Sequence, residues 1–240
     1  MATRVTDGKV YTPTELALLA ASKLYEYQDI ARQFGAKRYG GRVVWDPCCG
    51  EGALLQACKR IDSQADCCGM DIDANACDIA SVCGLQCAAG DLFEHEREPG
   101  SGGQLIVCNP PYVGRSNIRD VVGEDRFKWL KATYKAERSG SCDLAGYVLR
   151  HILQAWRPVI STWLVTNTIA QGATRRIGLC WALANGYQIV SALKDIPWPG
   201  DAAVTIHVIT IVDTEQLGGW IPKQRCEYVP RYQLMAAPKG

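Results

Sequence analysis

The stretch VVWDPCCGEGALLQACKR, residues 43–60, decides the fold. A short β-branched and aromatic run leads through a glycine-rich turn into a segment that we predict to be helical. The same alternation continues downstream, with strands predicted at 66–70, 85–89 and 105–108 and a helix at 74–83. Strands and helices that alternate at this pace predict βαβ units and a parallel sheet.

The sequence on either side extends this pattern. Upstream, TPTE at residues 12–15 is a helix start in which Thr12 caps and Glu15 completes a capping box, and the helix is expected to reach about Phe34. Downstream, we predict a long loop at 112–126 and only a polar tail after Val212. Between them we predict helices at 127–137, 143–156 and 174–184 and strands at 159–166, 187–193 and 204–212, the last two pairing antiparallel.

Composition is that of one folded domain. The 240 residues are 48% hydrophobic and 21% charged, which excludes a disordered or collagen-like chain. We see neither an apolar segment long enough to cross a membrane nor a secretory signal, so a cytoplasmic protein without a membrane partner is expected.

Twelve cysteines are a high number for this length. They form no C-x-x-C pair and the three histidines are scattered, so no metal site is expected. A disulfide framework belongs to small secreted chains, and we therefore expect reduced cysteines that act as small core hydrophobes.

The charge is unevenly distributed. Residues 110–180 carry 11 Lys and Arg against 5 Asp and Glu, within a chain of net charge +1. A basic segment of this kind suits contact with nucleic acid, whereas Lys128, Lys131 and Lys135 at helical spacing equally suit a solvated helix face. The charge pattern by itself leaves both interpretations open.

Polar side chains follow four consecutive predicted strands. Asp46, Asp71, Asp91 and Asn109 each stand directly after one of them. Because the carboxyl ends of strands in an open α/β sheet line the ligand crevice, we expect these four side chains to share one site.

The first two of these signals point to a nucleoside. Gly50 and Gly52 allow the backbone to approach a ligand, and Asp71 follows at the distance of about 20 residues at which an acid holds ribose hydroxyls. NAD would also satisfy these features. However, Leu55 replaces the third glycine of the dinucleotide pattern, so a nucleoside without a pyrophosphate fits better.

The fourth signal, NPPY at residues 109–112, indicates the chemistry. Two prolines hold the backbone extended and remove two N–H donors. The side-chain oxygen of Asn109 and the carbonyl of Pro110 then form a group of acceptors that suits a planar NH2 group. Tyr112 offers a face on which a planar ring can stack.

These motifs resemble those of the amino-group DNA methyltransferases that use S-adenosylmethionine, most closely the N6-adenine group. The resemblance extends over about residues 10–213. It implies a Rossmann-like class I methyltransferase with a mostly parallel seven-stranded sheet whose last strand is antiparallel. It also implies that Asn109, Pro110, Pro111 and Tyr112 form the catalytic motif.

The resemblance further implies which residues hold S-adenosylmethionine as the cofactor. They are Tyr11, Thr12 and Pro13 at the methionine end, Asp46, Pro47, Cys48, Gly50 and Gly52 in the glycine-rich motif, Asp71 at the ribose, Ile72 on the adenine, Asp91 with Leu92 at the adenine amino group, and Asn109.

The second half resembles the large adenine methylases of restriction–modification and phage-defence systems through NTIAQG at 167–172 and WPGDAAV at 198–204. This implies that Trp198 stacks on the face of an extruded base opposite Tyr112. Arg175 and Arg176 are candidates for phosphate contacts. Alternatively, Trp198 packs on the sheet edge and the two arginines are solvated.

The expected organisation is a catalytic domain at 1–213, which includes the cofactor-binding helix 12–34, and a tail at 214–240. We recognise no target-recognition domain, so DNA sequence choice is expected from a specificity or other defence-system subunit, or from another part of a longer chain. Methylation of RNA adenine or protein glutamine, and a non-catalytic scaffold, remain alternatives. N4-cytosine methylation is less favoured than N6-adenine methylation but stays an alternative, because both amines are chemically alike.

Overall fold

A computed structural model describes residues 11–33, 42–95, 104–134, 142–199, 204–219 and 225–228, the last range for its backbone only. Residues 200–203 of the WPGDAAV segment, most of the predicted tail and the end of the predicted helix 127–137 lie outside the described residues.

Eight strands form one sheet in the described part of the chain, in the order β3-β2-β1-β4-β5-β7-β6-β8. Strand β7 runs antiparallel to both of its neighbours and the other pairs are parallel. The predicted fold class, a mostly parallel α/β sheet of seven strands with an antiparallel last strand, is confirmed. The strands are β1 (Val43–Asp46), β2 (Asp66–Asp71), β3 (Gln86–Ala89), β4 (Leu105–Cys108), β5 (Ile160–Thr166), β6 (Tyr187–Pro197), β7 (Thr205–Asp213) and β8 (Arg225–Tyr228).

The eighth strand corrects the prediction of a purely polar tail. Strand β8 pairs parallel with β6, with Arg225 beside Ser191. Three of the four partners on β6 lie within the predicted strand 187–193, and the fourth, Lys194, lies in the part of β6 that continues to Pro197. Such a long-range pairing leaves no local pattern in the sequence.

The helices match the predictions closely before the NPPY motif and less closely after it. Two of the later helices contain π-helical turns, at 152–156 and 176–180, which the 3.6-residue pattern does not predict. The helices are α1 (Thr14–Gln33), α2 (Ala53–Ile61), α3 (Ala74–Val82), α4 (Ile118–Val122), α5 (Glu124–Thr133), α6 (Leu144–His151), α7 (Gly172–Arg175) and α8 (Trp181–Ala184).

Helix α4 and the first turn of α5 occupy part of the long loop predicted at 112–126. Gly123, with a φ of 82°, separates them and permits the change of direction between the two. Ile118 anchors α4, while Phe127 and Leu130 bury the inner face of α5. The predicted helix 127–137 overlaps α5 from Phe127 onward, so only its start was placed too late, although an acidic first turn favours a helix N-terminus.

Two hydrophobic cores cover the two faces of the sheet. One includes residues of α1, α2 and α3, and the other includes residues of α4, α5 and α6. The eleven cysteines that the structure describes are free thiols and six of them are buried, in agreement with the prediction of reduced core cysteines. No helix among the described residues is long and apolar enough to cross a membrane.

Candidate functional site

A cavity of about 300 Å³ opens at the carboxyl ends of β1 to β4. This is the edge of the sheet where the four polar signals were expected to meet. Ten of the predicted site residues line it: Tyr11, Pro47, Cys48, Gly50, Asp71, Ile72, Asp91, Leu92, Asn109 and Pro111. Nine others lie outside its lining: Thr12, Pro13, Asp46, Gly52, Pro110, Tyr112, Arg175, Arg176 and Trp198.

Gly50 and Gly52, in the turn after β1, are required for different structural reasons. Gly52 has a φ of 83°, and a Cβ atom there would stand 2.4 Å from Leu85 Cδ1, so Gly52 is needed for close packing. Gly50 also has a positive φ, but a Cβ atom there would meet nothing within 4 Å. Gly50 therefore keeps the backbone open towards the cavity that it lines.

Asp46 is buried and stabilises the glycine-rich turn through a hydrogen bond. It is 1% exposed, and its Oδ1 accepts a hydrogen bond from the backbone N–H of Cys48 at 3.1 Å. Burial raises the pKa of Asp46 well above its ordinary value, the Cys48 N–H lowers this pKa, and the charge of Asp71 raises it further. Its Oδ2 has no hydrogen-bond partner among the described residues.

Asp71 ties the end of β2 to the glycine-rich turn. Its Oδ2 accepts from the backbone N–H of Gly50 at 2.8 Å, and its Oδ1 accepts from Asp73 N–H at 3.0 Å. A carboxylate can accept about four hydrogen bonds, so both oxygens keep the capacity to accept from a ligand hydroxyl. The neighbouring Ile72 is 78% exposed and adds an apolar surface to the cavity lining.

Asp91 forms an ion pair with Arg126, a residue that the sequence analysis did not single out. Its Oδ1 accepts from Phe93 N–H at 2.9 Å, and its Oδ2 forms an ion pair with Arg126 Nη2 at 2.6 Å. Arg126 also pairs with Glu94 and lines the cavity. Because residues 112–126 were predicted to be a loop, nothing in the sequence singled out Arg126.

Asn109 meets the start of the first helix. Its Nδ2 donates to Thr12 Oγ1 at 2.9 Å, although the two residues are 97 positions apart in sequence. The hydroxyl of Thr12 thus has a partner other than the helix backbone that the capping prediction assigned to it, and α1 begins at Thr14. Asn109 lines the cavity, while its Oδ1 is buried.

Tyr112 and Trp198 are brought together, but they contact each other. Their ring centroids are 6.3 Å apart at an interplanar angle of 87°, an edge-to-face pair with no slot between the rings. The Tyr112 hydroxyl donates to the carbonyl of Leu164, and burial raises the pKa of Tyr112. A base between the two rings therefore requires them to separate from this arrangement.

Arg175 and Arg176 are exposed and do not line the cavity. They follow β5 in the short helix α7 and the π-helical turn after it. A phosphate contact for either arginine stays a prediction. Within the described ranges, no group of three or more His, Cys, Asp or Glu side chains is arranged to hold a metal ion.

Comparison with known proteins identifies the fold. No protein-family model matches the sequence. A putative class I S-adenosylmethionine-dependent methyltransferase from Listeria monocytogenes superposes with a TM-score of 0.67 at 14% identity, over 98% of this chain and 69% of that one. A modification subunit of a putative type I restriction enzyme from Vibrio vulnificus superposes at 0.60 and 13% identity, over 99% of this chain and 49% of that one.

A third solved structure, the type IIL restriction–modification enzyme MmeI in complex with DNA, superposes at a TM-score of 0.53 and 17% identity, over 82% of this chain and 34% of that one. The chain therefore has the Rossmann-like fold of class I methyltransferases. It spans about half the length of the Vibrio subunit and about a third of MmeI.

The cavity residues fit an S-adenosyl ligand. A cavity of about 300 Å³ lies at the lower end of the range that small-molecule sites occupy. Gly50 leaves its backbone open, Ile72 and Phe93 present apolar side chains, and Asp71 and Asp91 present acceptors. Together these features suit the ribose hydroxyls, the ring and the amino group of an adenosine moiety.

Proposed function

We propose that this chain is a methyltransferase domain that transfers a methyl group from S-adenosylmethionine to the exocyclic N6 of adenine in DNA. The observation that carries the proposal is that Asn109 of the NPPY motif lines the same cavity as Asp71 and Asp91. An acceptor group suited to an amine thus adjoins a site suited to a nucleoside.

The cofactor would be held along the edge of β1 to β4. Asp71 would accept from the ribose hydroxyls, Ile72 would pack on the adenine ring and Asp91 would accept from the adenine amino group. Tyr11, Pro47, Cys48, Gly50 and Leu92 would complete the wall. Bound there, S-adenosylmethionine supplies a methyl group already activated as a sulfonium, so the protein mainly has to align the reactants.

The target amine would be held by Asn109 and the carbonyl of Pro110. Acceptors of this kind stabilise the positive charge that grows on an amine nitrogen as it attacks. Thr12 fixes the amide of Asn109 through the contact at 2.9 Å. For Oδ1 of Asn109 to accept from the amine, the buried oxygen has to become accessible when substrate binds.

A target adenine in a duplex has to leave the base stack, which costs a few kcal/mol. Stacking on an aromatic ring stabilises the extruded base by roughly 1–3 kcal/mol and so offsets part of this cost. Separation of Tyr112 from Trp198 would expose two such rings, so their contact marks the place where an extruded base would enter.

Sequence recognition is proposed to come from a specificity subunit or from a further part of a longer chain. The modification subunit to which this chain is similar belongs to a type I restriction enzyme, and this chain spans 49% of its length. The excess of Lys and Arg in residues 110–180 is compatible with a nucleic-acid partner.

The experiment is transfer of a tritiated methyl group from S-adenosylmethionine to unmethylated DNA, RNA and protein in parallel. Low salt is used so that non-specific DNA binding supports turnover. We expect label in DNA, recovered as N6-methyladenine, and its loss in Asn109→Ala. Label in RNA or protein alone, in none of the three, or undiminished in the variant would overturn the proposal.

A further inference from the structure

A β-bulge interrupts β6 shortly before this strand reaches Trp198. Between two of its pairs β6 advances by three residues while β7 advances by two, the pairs being Leu193 with Val208 and Ile196 with Ile206. Lys194 and Asp195 of β6 therefore face the single residue His207 of β7, which is the pattern that defines a bulge. One extra residue in a strand reverses the side of the sheet to which every later side chain points.

The bulge determines which face of the sheet carries Trp198. Leu193 and Ile196 are three residues apart and would point to opposite faces of a regular strand. Both instead belong to the core on the α1 side of the sheet, and Trp198 packs against that core, as does Tyr112. Pairing with β7 resumes after the bulge and continues to Trp198, whose N–H donates to the carbonyl of Val204 at 2.9 Å. In a strand without the bulge, Trp198 would face away from Tyr112.

The side chain of His207 holds the bulge. Asp195 has a φ of 57°, a conformation that residues other than glycine keep only where the surrounding structure fixes them. Its backbone N–H donates to Nδ1 of His207 at 3.1 Å. Because a backbone N–H can only donate, Nδ1 carries no proton and the imidazole ring is neutral. His207 is 8% exposed, so water cannot easily take the place of this hydrogen bond.

Burial of His207 lowers its pKa below the ordinary value of 6.5. Asp195 and the carbonyl of Ile206 raise the pKa and Lys194 lowers it, but burial outweighs them. Neither β5 nor the turn 167–170, which both contact β7, contains a charged residue. Helix α1 packs on the other face of β7, to which Ile206 and Val208 point. The ring is therefore neutral above pH 6.5 and gains a proton as the pH falls below that value.

We propose that His207 is a positioning residue whose unprotonated Nδ1 holds the bulge of β6 and thereby keeps Trp198 on the face that Tyr112 occupies. The inference rests on the proposed function only for the purpose of this placement, which is the stacking of an extruded base. Protonation of His207 removes the acceptor, because both ring nitrogens then donate, and so releases the bulge. The placement of Trp198 therefore depends on pH.

The test observes Trp198 by fluorine nuclear magnetic resonance of the full chain labelled with fluorotryptophan. The resonance of Trp198 is the one that is absent from Trp198→Phe. Its position depends on the ring of Tyr112, whose centroid lies 6.3 Å away. In the wild type we expect one position above pH 6.5 and a progressive shift as the pH falls below that value.

Two substitutions of His207 separate its acceptor from its bulk. His207→Leu keeps an apolar side chain and removes the acceptor, so the Trp198 resonance should be displaced at every pH. His207→Asn retains an oxygen acceptor that does not titrate, and it should keep the wild-type position even at low pH. At neutral pH and above, His207→Leu should also transfer methyl groups to DNA roughly 5-fold or more slowly, as expected when one stacking ring is misplaced.

Asp195→Gly is the matched control for the bulge itself. Glycine adopts a positive φ without strain and keeps the backbone N–H that His207 accepts. Its Trp198 resonance should therefore have the wild-type position above pH 6.5. The shift should begin at a lower pH than in the wild type, because the carboxylate that raises the pKa of His207 is gone.

The outcomes separate this inference from the proposed function. If His207→Leu keeps the wild-type resonance, or if the wild type and His207→Asn titrate alike, His207 does not position Trp198, whether or not DNA is methylated. If the resonances behave as expected and no label enters DNA, the positioning role stands and the proposed function fails. Should His207→Leu not fold, the comparison of the wild type with His207→Asn at low pH decides between these outcomes.

Discussion

The two ends of the crevice differ in charge and in accessibility. The charged end consists of Asp71, Asp91, Glu94 and Arg126, whose contacts leave a cavity open between them. The neutral end consists of two pairs of side chains in contact, Thr12 with Asn109 and Tyr112 with Trp198. We conclude that a ligand enters the charged end without rearrangement, whereas the neutral end has to open for its substrate.

The difference has a chemical reason. Charged groups at the mouth of a cavity can form strong hydrogen bonds with the hydroxyl and amino groups of a ligand. They stay partly hydrated in its absence, so they do not need to pack against each other. Two aromatic rings exposed to water instead lower their free energy by packing together. If this account holds, cofactor affinity is independent of DNA, and the variants below separate the two ends.

The largest effect is expected from Asn109→Ala at the neutral end. Removal of one group that stabilises developing charge costs about 10²–10³ in rate, so transfer should nearly cease. The affinity for S-adenosylhomocysteine should change less than about 3-fold, because the charged end is intact. Single-turnover transfer and calorimetry measure the two quantities. A parallel loss of both would show that the two ends are not separable.

Trp198→Ala tests whether the ring pair receives the base. Loss of one stacking ring should weaken capture of an extruded base by about 1–3 kcal/mol, or roughly 5- to 150-fold. The measurement is fluorescence of 2-aminopurine at the target position, which rises when the base leaves the stack. Trp129→Ala, a change in an exposed ring beside Phe93, should leave this signal unaltered. Equal signals from wild type and Trp198→Ala would remove Trp198 from the site.

Thr12→Val removes the hydrogen bond that fixes Asn109 and keeps the size of the side chain. We expect the transfer rate to fall about 5-fold, with the affinity for S-adenosylhomocysteine nearly unchanged, since a neutral hydrogen bond is worth about 1 kcal/mol. Thr12→Ser should restore the rate. Thr14→Val, in the first turn of α1, is the control. A rate for Thr12→Val equal to that of the control would show that Thr12 does not position Asn109.

The smallest effect concerns the buried Asp46. Because burial raises its pKa in the folded state above the ordinary value of 3.8, its contribution to stability is full below that value. The contribution is then lost as pH rises through the raised pKa. Relative to Asp46→Asn, the free energy of unfolding of the wild type should therefore fall by about 1 kcal/mol or more between pH 4.5 and pH 8. Urea unfolding measures this, and parallel pH profiles would contradict it.

The residues of the neutral end were predicted from the sequence but their contacts were not, whereas at the charged end Asp71 and Asp91 were predicted and Arg126 was missed. Asp71 and Asp91 stand directly after short strands with clear turn signals, so local pattern alone placed them at one edge. Arg126 was missed because the helix was predicted to begin at residue 127, which left Arg126 in the predicted loop. The pairs Thr12–Asn109 and Tyr112–Trp198 join distant parts of the chain, and only the folded sheet brings their side chains together.

A crystal structure of the chain with S-adenosylhomocysteine tests the central claim most directly. We predict that the adenine lies against Ile72 with its amino group on Asp91, that the ribose hydroxyls meet Asp71, and that the sulfur faces Asn109. A ligand bound elsewhere, or bound with its sulfur turned away from Asn109, would contradict the claim that one crevice serves both the nucleoside and the amine.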